Sequence, residues 1–497
     1  MFRGMRLATV LFLAAVTIHG QHAFRPEIPK VWDERALRDM ELPVVVPRYS
    51  PRPVPAAYYY RIPVRKIYRS YPIYAPGRGP KGYFERLRTV EPEVVFDSAK
   101  LNSKQDWIRA GEVVFEAPTA YDVPDMAVRD VVDPAWYAYT GVRLTPDGIL
   151  PHLRYVVREK GKVEVGSLSC ANCHMSVMKD GTIIKAGQGN FPLDKVNALT
   201  ARKSALSEAR RNFLSLFAIP WIPERQKQFT SYSAEEIASI YESIPLGVLG
   251  RNRSSALSPP AVPDLHGVRH RRYLDKSGLN RHDGIAGLMR YAAMAEGIEF
   301  YSSFDGFIPS GGEKFDTLPP AESLERFSEE QLYALALWLY SLDPPKNPNP
   351  PERRLFQAGE NLFKSHGCGG CHTPPLYTNN KLTPATGFHI PPDHKGRYDI
   401  LPVVVGTDPQ LTMDTRRGTG YYKVPSLKGL WYRGPFEHSG SVATLEDWFD
   451  PARLRDDYVP TGFKGYGLKT RAVRGHEFGL KLKPDEKKAL IAFLMTL

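Results

Sequence analysis

Apolar positions are grouped unevenly along the chain, and each grouping predicts a different element. The first is an unbroken run from Leu7 to Ile18, behind the basic start Met1-Phe2-Arg3-Gly4-Met5-Arg6 and ahead of Gly20-Gln21-His22-Ala23. A basic start, a short apolar middle and a small-residue end describe a secretory signal peptide over 1–23, and the run is too short for an uncleaved membrane anchor. No other long apolar run follows. The mature chain is therefore expected to be periplasmic or secreted, with no membrane span.

Helical spacing appears in three further places. Ser328-Glu329-Glu330-Gln331 is a capping-box start, and Leu332, Leu335, Leu339 and Leu342 follow on one face until Asp343-Pro344-Pro345 stops the helix. Glu352 to Phe363 reads as a short helix with Leu355, Phe356, Leu362 and Phe363 apolar. Pro484-Asp485-Glu486 opens a last helix carrying Leu490, Phe493, Leu494 and Leu497. By contrast, Val163-Glu164-Val165-Gly166-Ser167-Leu168-Ser169 has the look of a strand or loop.

Between these elements the composition changes. Residues 24–101 are rich in proline and tyrosine, as in Val44-Val45-Val46-Pro47-Arg48-Tyr49-Ser50-Pro51, which favours extended, polyproline-like chain. Such a segment is either a strap against a domain or a mobile leader. The polar, proline-rich stretch 344–351 reads as a hinge. It divides a larger unit, 102–343, from a compact one, 352–497. Duplication links the two units: Val262-Pro263-Asp264-Leu265-His266-Gly267-Val268 matches Val424-Pro425-Ser426-Leu427-Lys428-Gly429-Leu430, and the turns Ser277-Gly278 and Ser439-Gly440 follow at the same offset.

Chemistry enters with the cysteines, of which there are four. An exported chain with four cysteines can form two disulfides. Here they fall instead as Cys170-Ala171-Asn172-Cys173-His174 and Cys368-Gly369-Gly370-Cys371-His372, the attachment pattern of c-type haem. Two thiols at this spacing add to the two vinyl groups of one porphyrin, and the next residue then lies under the ring where its imidazole binds iron. A zinc site needs further ligands at matching spacing, and a disulfide has no use for the histidine. Two covalently bound haems with His174 and His372 as proximal ligands are the expectation.

The opposite face of each iron decides function. For the second haem the candidates are His438, His476 and Met413. For the first, His266, His270 and His282 follow at long intervals without standing out, and Met175 and Met178 fall on the proximal side. The first haem is expected to lack a strong distal ligand, with Met289, Tyr291 and Phe300 as candidate lining of an apolar pocket. The formal charge of +12 favours an acidic redox partner. No nucleic-acid partner is expected.

Together these residues resemble the di-haem cytochrome c peroxidase superfamily, which includes MauG-type enzymes and rubber-cleaving di-haem oxygenases. The most specific stretch is Tyr421 to Asp450, with Val424-Pro425-Ser426-Leu427, Glu437-His438-Ser439-Gly440 and Thr444-Leu445-Glu446-Asp447. Tyr74 to Gly82, Asp180-Gly181-Thr182, Gln188-Gly189-Asn190-Phe191-Pro192, Leu288-Met289-Arg290-Tyr291-Ala292-Ala293 and Gly475-His476-Glu477-Phe478-Gly479 look most like the rubber-oxygenase branch. The resemblance implies a mainly α fold of two cytochrome c-like haem domains facing each other, with long loops and the extended proline- and tyrosine-rich arm. It makes His476 the preferred second ligand of the C-terminal haem, where the peroxidases use a methionine that would fall near Ala452.

Other departures are specific. The peroxidases' distal histidine would fall near Arg253, where none stands. Their bridging tryptophan maps to about Lys276, which leaves an aromatic relay to a neighbour such as Tyr273. Their interdomain calcium site corresponds to Ala261, Arg433 and Pro435, residues that weigh against calcium. The implied function is an oxidoreductase whose N-terminal haem activates oxygen or peroxide and whose C-terminal haem relays electrons. Its partners would be a redox protein or small oxidant and an apolar substrate. The alternative is a pure electron carrier with both irons six-coordinate.

Overall fold

Two helix pairs, crossed at glycine, frame the chain. The computed structural model describes residues 24–497 except 39, 204–230, 251–255 and 313, so the expected signal peptide at 1–23 and the position near Arg253 lie outside the described residues. No described helix is long and apolar enough to cross a membrane. In chain order the principal helices are α1 (Lys104–Glu116), α2 (Cys170–His174), α3 (Leu193–Lys203), α4 (Ala234–Glu242), α5 (Ile285–Ala295), α6 (Glu329–Ser341), α7 (Arg353–Ser365) and α8 (Pro484–Leu494).

Helix α6 starts at the predicted capping box: the Ser328 hydroxyl accepts from the Gln331 N–H at 3.2 Å, and Gln331 Oε1 accepts from the Ser328 N–H at 2.9 Å. It packs on α1, and α8 packs on α7. A Cβ on Gly111 would stand 2.0 Å from the carbonyl oxygen of Ala334, and a Cβ on Gly359 would stand 2.0 Å from that of Ala489. Only glycine allows backbones this close. Phe115 then meets Trp338, as Phe363 meets Phe493. The sequence repeats accordingly, as Ala110-Gly111-Glu112 with Phe115 and Ala358-Gly359-Glu360 with Phe363.

The Val-Pro segments repeat in three dimensions too. Gly267 and Gly429 are both left-handed, with φ of 66° and 72°, and each opens a short 3-10 turn. Their N–H groups donate to the last residue of the matching helix face, Leu342 O at 3.0 Å and Leu497 O at 2.8 Å.

The expectation of a mainly α protein is corrected: the fold is mixed. The first half contains an antiparallel sheet of β1 (Ser70–Tyr74), which precedes α1, and β2 (Ala120–Tyr121), β3 (Ile149–Glu159) and β4 (Lys162–Ser167), which lie between α1 and α2, in the order β1-β3-β4-β2. Val157 pairs with Val163 and Tyr155 with Val165 across the β3–β4 hairpin, whose turn places Gly161 at φ 88°. Apolar side chains on β3, such as Leu150 and Leu153, pack with Trp136, Phe191 and Val196 of the flanking elements. Two short strands, β5 (Met175–Val177) and β6 (Ile183–Lys185), follow the first cysteine motif.

The arm 24–101 is packed rather than loose. It supplies β1 and several short helical turns. Trp32 stacks on Tyr59 with ring centres 4.5 Å apart and donates through Nε1 to Val54 O at 2.7 Å. Proline prevents long regular elements here, while the aromatic rings bury enough surface to hold the segment down. The connector 344–351 is tied to the second half by Trp431 Nε1 donating to Pro345 O and Asn347 Nδ2 donating to Met495 O.

Candidate functional site

Each cysteine motif ends in a histidine held the same way. In the first, Ser169 caps α2 and the Nδ1–H of His174 donates to Pro263 O at 3.0 Å. In the second, the Nδ1–H of His372 is shared between Pro425 O at 3.1 Å and Tyr377 O at 3.2 Å. The two prolines are the matched residues of the repeated segments. A carbonyl on Nδ1 sets the tautomer that leaves Nε2 as a lone pair for a metal. None of the four cysteines forms a disulfide.

Around the first motif the packing is tight. A Cβ on Gly189 would lie 2.0 Å from Cys173 O, so the Gln188-Gly189-Asn190 segment fits against α2 only with glycine at its centre. Cys170 Sγ donates to Glu296 Oε1 at 3.2 Å. Burial, then the Glu296 charge, pushes this thiol well up, and burial pushes Glu296 itself up to about 7. Ala171 and Met175 share a core with Met289 of α5, which is fully buried. Tyr291 donates to Asp275 Oδ1 at 2.7 Å, and Phe300 lies under the Arg416 guanidinium. Thus Met289 belongs to the same core as the motif, Tyr291 packs against that core while its hydroxyl is turned to Asp275, and Phe300 packs against Arg416.

The three histidines downstream are engaged elsewhere. His266 Nδ1 bonds Asp264 at 2.8 Å, His270 accepts from Arg269 at 2.9 Å, and His282 is bonded to Arg271 O and to the Tyr340 hydroxyl.

Around the second motif the side chains enclose a cavity. Its lining includes Cys368, Cys371 and His372 on one side and His476, Trp448 and Phe478 on the other, closed by Phe363, Leu427 and Leu490. His476 reaches it from a strained turn. Its own φ is 45°, a Cβ on Gly475 would collide with Gly406 and Thr407, and the His476 N–H donates to Val405 O at 2.7 Å. The buried Arg453 ties the turn together by donating to Trp448 O, Val473 O and His476 O. Burial first, and then nearby His372, lowers His476 to about 4, so the ring is neutral at pH 7.

The ring centres of His372 and His476 are 6.3 Å apart. Two imidazoles on opposite faces of one metal, each with a bond of about 2.0 Å and a ring centre about 1.1 Å beyond its nitrogen, give about 6.2 Å, close to that separation. With two thiols beside His372 and an apolar cavity around, the residues fit a haem. The other candidates are placed differently. His438 is stacked on Tyr422 and bound to Glu437 at 2.7 Å, and Met413 packs with Ala385, Leu411 and Tyr422.

A continuous chain of bonds joins the two proximal histidines. From His372 it passes to Pro425 O, along the backbone to Ser426 O, and to Arg433 Nη1 at 2.9 Å. From Arg433 it passes through neighbouring Tyr432, whose hydroxyl donates to Asp264 Oδ1 at 3.2 Å, and then from Pro263 O to His174. Sequence reading missed Tyr432, Asp264 and Arg453. Their only signal is proximity to the repeated Val-Pro segments and the terminal turn.

Among the described residues no group of three or more histidine, cysteine, aspartate or glutamate side chains is arranged to hold a metal ion. Arg433, at a position the resemblance assigns to calcium binding, instead donates to Ser426 O and Lys428 O.

No family model matches the chain. An uncharacterized protein of Sinorhizobium fredii, y4iJ, is 36% identical over 134 residues, an alignment that covers 20% of this chain and 22% of that protein. The chain thus matches about a fifth of that relative's length. Hydrazine synthase of Kuenenia stuttgartiensis aligns at 16% identity with a TM-score of 0.29, covering 59% of this chain and 89% of that one. A MauG-like protein associated with microbial copper homeostasis aligns at 21% identity with a TM-score of 0.22, covering 34% and 56%. At such scores neither likeness bears on fold or function.

Proposed function

We propose that this chain is an exported di-haem c-type oxidoreductase, with one haem held by Cys170, Cys173 and His174 and the other by Cys368, Cys371, His372 and His476. The observation that carries the reading is the 6.3 Å spacing of the His372 and His476 rings across a cavity bordered by two thiols. A bound haem supplies reversible one-electron chemistry and, where one axial position is open, a place for a small oxidant.

The protein's own residues divide the work. His372 and His476, both neutral and both fixed by backbone contacts, suit a six-coordinate centre that passes electrons without rearrangement. His174 has the same proximal anchor, but His266, His270 and His282 have other partners, which supports an open first centre meeting oxygen or peroxide. The bond chain through Arg433, Tyr432 and Asp264 provides a continuous covalent and hydrogen-bonded route between the two centres. Met289, in the same apolar core as the first motif, favours an apolar substrate, in keeping with the resemblance to the oxygenase branch, and the +12 charge favours an acidic donor protein.

The test is to express the full chain in a host competent in cytochrome maturation, count haem, and record the electron paramagnetic resonance spectrum of the oxidised protein. Two haems, one low-spin and one high-spin, with carbon monoxide bound by one only, are expected. Absence of a Soret band, or a single haem per chain, refutes the reading. Two low-spin centres that bind no carbon monoxide identify a pure electron carrier instead.

A further inference from the structure

The cavity that holds His372 and His476 extends to the junction of the two halves, and there its wall changes character. Arg271, Lys276, Lys423 and Arg433 all line it, drawn from both copies of the repeat, whereas among the described residues Asp264 and Glu437 are its only lining carboxylates. Both carboxylates are already engaged. Asp264 accepts from His266 and Tyr432 and pairs with Arg271 at 3.8 Å, and Glu437 accepts from His438, Ser439 and Ser441. Asp275, near Lys423, is bound by Arg417 and Tyr291.

If all four basic groups were protonated they would outnumber the two engaged carboxylates by two charges in an enclosed space. Such an excess is costly unless anions offset it. The cost is visible in the lysines. Burial, then the guanidiniums of Arg433 and Arg271, push Lys276 down to about 7, and burial, then Arg271 and Lys276, push Lys423 well down. One donor at this wall also lacks a partner among the described residues: Arg433 Nε is buried with no hydrogen bond. An ordinary structural ion-pair cluster would satisfy these groups from within the fold.

We propose that Arg271, Lys276, Lys423 and Arg433 form a dicarboxylate cradle that receives the two propionates of the haem attached at Cys368 and Cys371. The inference rests on the haem reading above. It adds a charge-matched subsite: two carboxylates placed there would hold Lys276 and Lys423 in their charged forms, while the apolar wall takes the rest of the ring. The same cations sit beside the Tyr432–Asp264 route, so the cradle also sets the electrostatic environment of the second centre.

The experiment uses the mature protein carrying both haems and measures the midpoint potential of the low-spin centre in Lys276→Met, Arg433→Gln and Lys276→Arg. Removing a cation beside a propionate favours the ferric state, so each neutral variant should lower the reduction equilibrium constant at least tenfold, about 59 mV for a one-electron couple. Lys276→Arg keeps the charge and should stay near the parent. Parent-like potentials in both neutral variants, with two haems still attached, overturn the cradle. A parent chain that acquires no haem fails at the earlier reading instead, so the two failures are distinguishable.

Discussion

Replacing His476 by glycine is the most direct perturbation of the second centre. The side chain supplies one of two imidazoles 6.3 Å apart, and its nearest aromatic neighbours, Trp448 and Phe478, each with ring centres 5.2 Å away, offer no nitrogen that binds iron. Coordination should fall from six to five. The loss is complete, because a ring whose affinity for protons is lowered to about 4 is in the ligand form in all but about one molecule in a thousand at pH 7. Electron paramagnetic resonance should therefore show the low-spin signal of one iron replaced by a high-spin one, half of the haem in the chain. The vacated space lies between two aromatic rings, so added imidazole should restore the low-spin signal. His438→Gly and Met413→Leu should leave it untouched, since Met413 packs elsewhere and His438, although it borders the same cavity, is held by Tyr422 and Glu437. A His476→Gly protein that stays low-spin without added imidazole, or a His438→Gly protein that loses the signal, refutes the assignment.

Three other outcomes can be checked. Gly111→Ala and Gly359→Ala each drive a methyl to 2.0 Å from a facing carbonyl oxygen, and thermal or denaturant unfolding should show a loss of about 1–3 kcal/mol or more in each. Tyr432→Phe removes the hydroxyl that joins Arg433's neighbour to Asp264, and flash-photolysis kinetics should show slower electron exchange between the centres at unchanged haem content. His152, fully buried against Phe191 with Nε2 on Met175 O, is lowered by burial from 6.5 to about 4. The unfolded chain then binds the proton more readily, so stability is full above pH 6.5 and falls as pH drops towards 4, by about 3 kcal/mol. His152→Gln should flatten that part of the stability profile, and an unchanged acid limb counts against the buried neutral ring.

Legibility in the sequence differed from residue to residue for physical reasons. The cysteine motifs are local, because thioether attachment and proximal ligation need fixed neighbours along the chain. The capping box at Ser328 and the helix opened by Pro484 are equally local, and both stand where the pattern puts them. The Ala-Gly-Glu repeat around Gly111 and Gly359 was present but silent, since its meaning depends on which helix each glycine faces. Only the 163–169 stretch of the sheet reads as strand or loop, because β1 comes from the arm, β2 and the β3–β4 hairpin come from between α1 and α2, and the hairpin's alternation is blurred by burial on both faces.

What the chain alone determined, therefore, is the covalent chemistry on offer: two thiol pairs, each with its adjacent imidazole, set in duplicated segments. Which imidazole stands opposite His372, how His174 and His372 are joined through Tyr432 and Asp264, and that four cations gather beside one cavity were decided only by the tertiary structure. These relations connect residues far apart in sequence. No local pattern encodes them, because distance and burial, the quantities that set ligation and charge, exist only once the chain has folded.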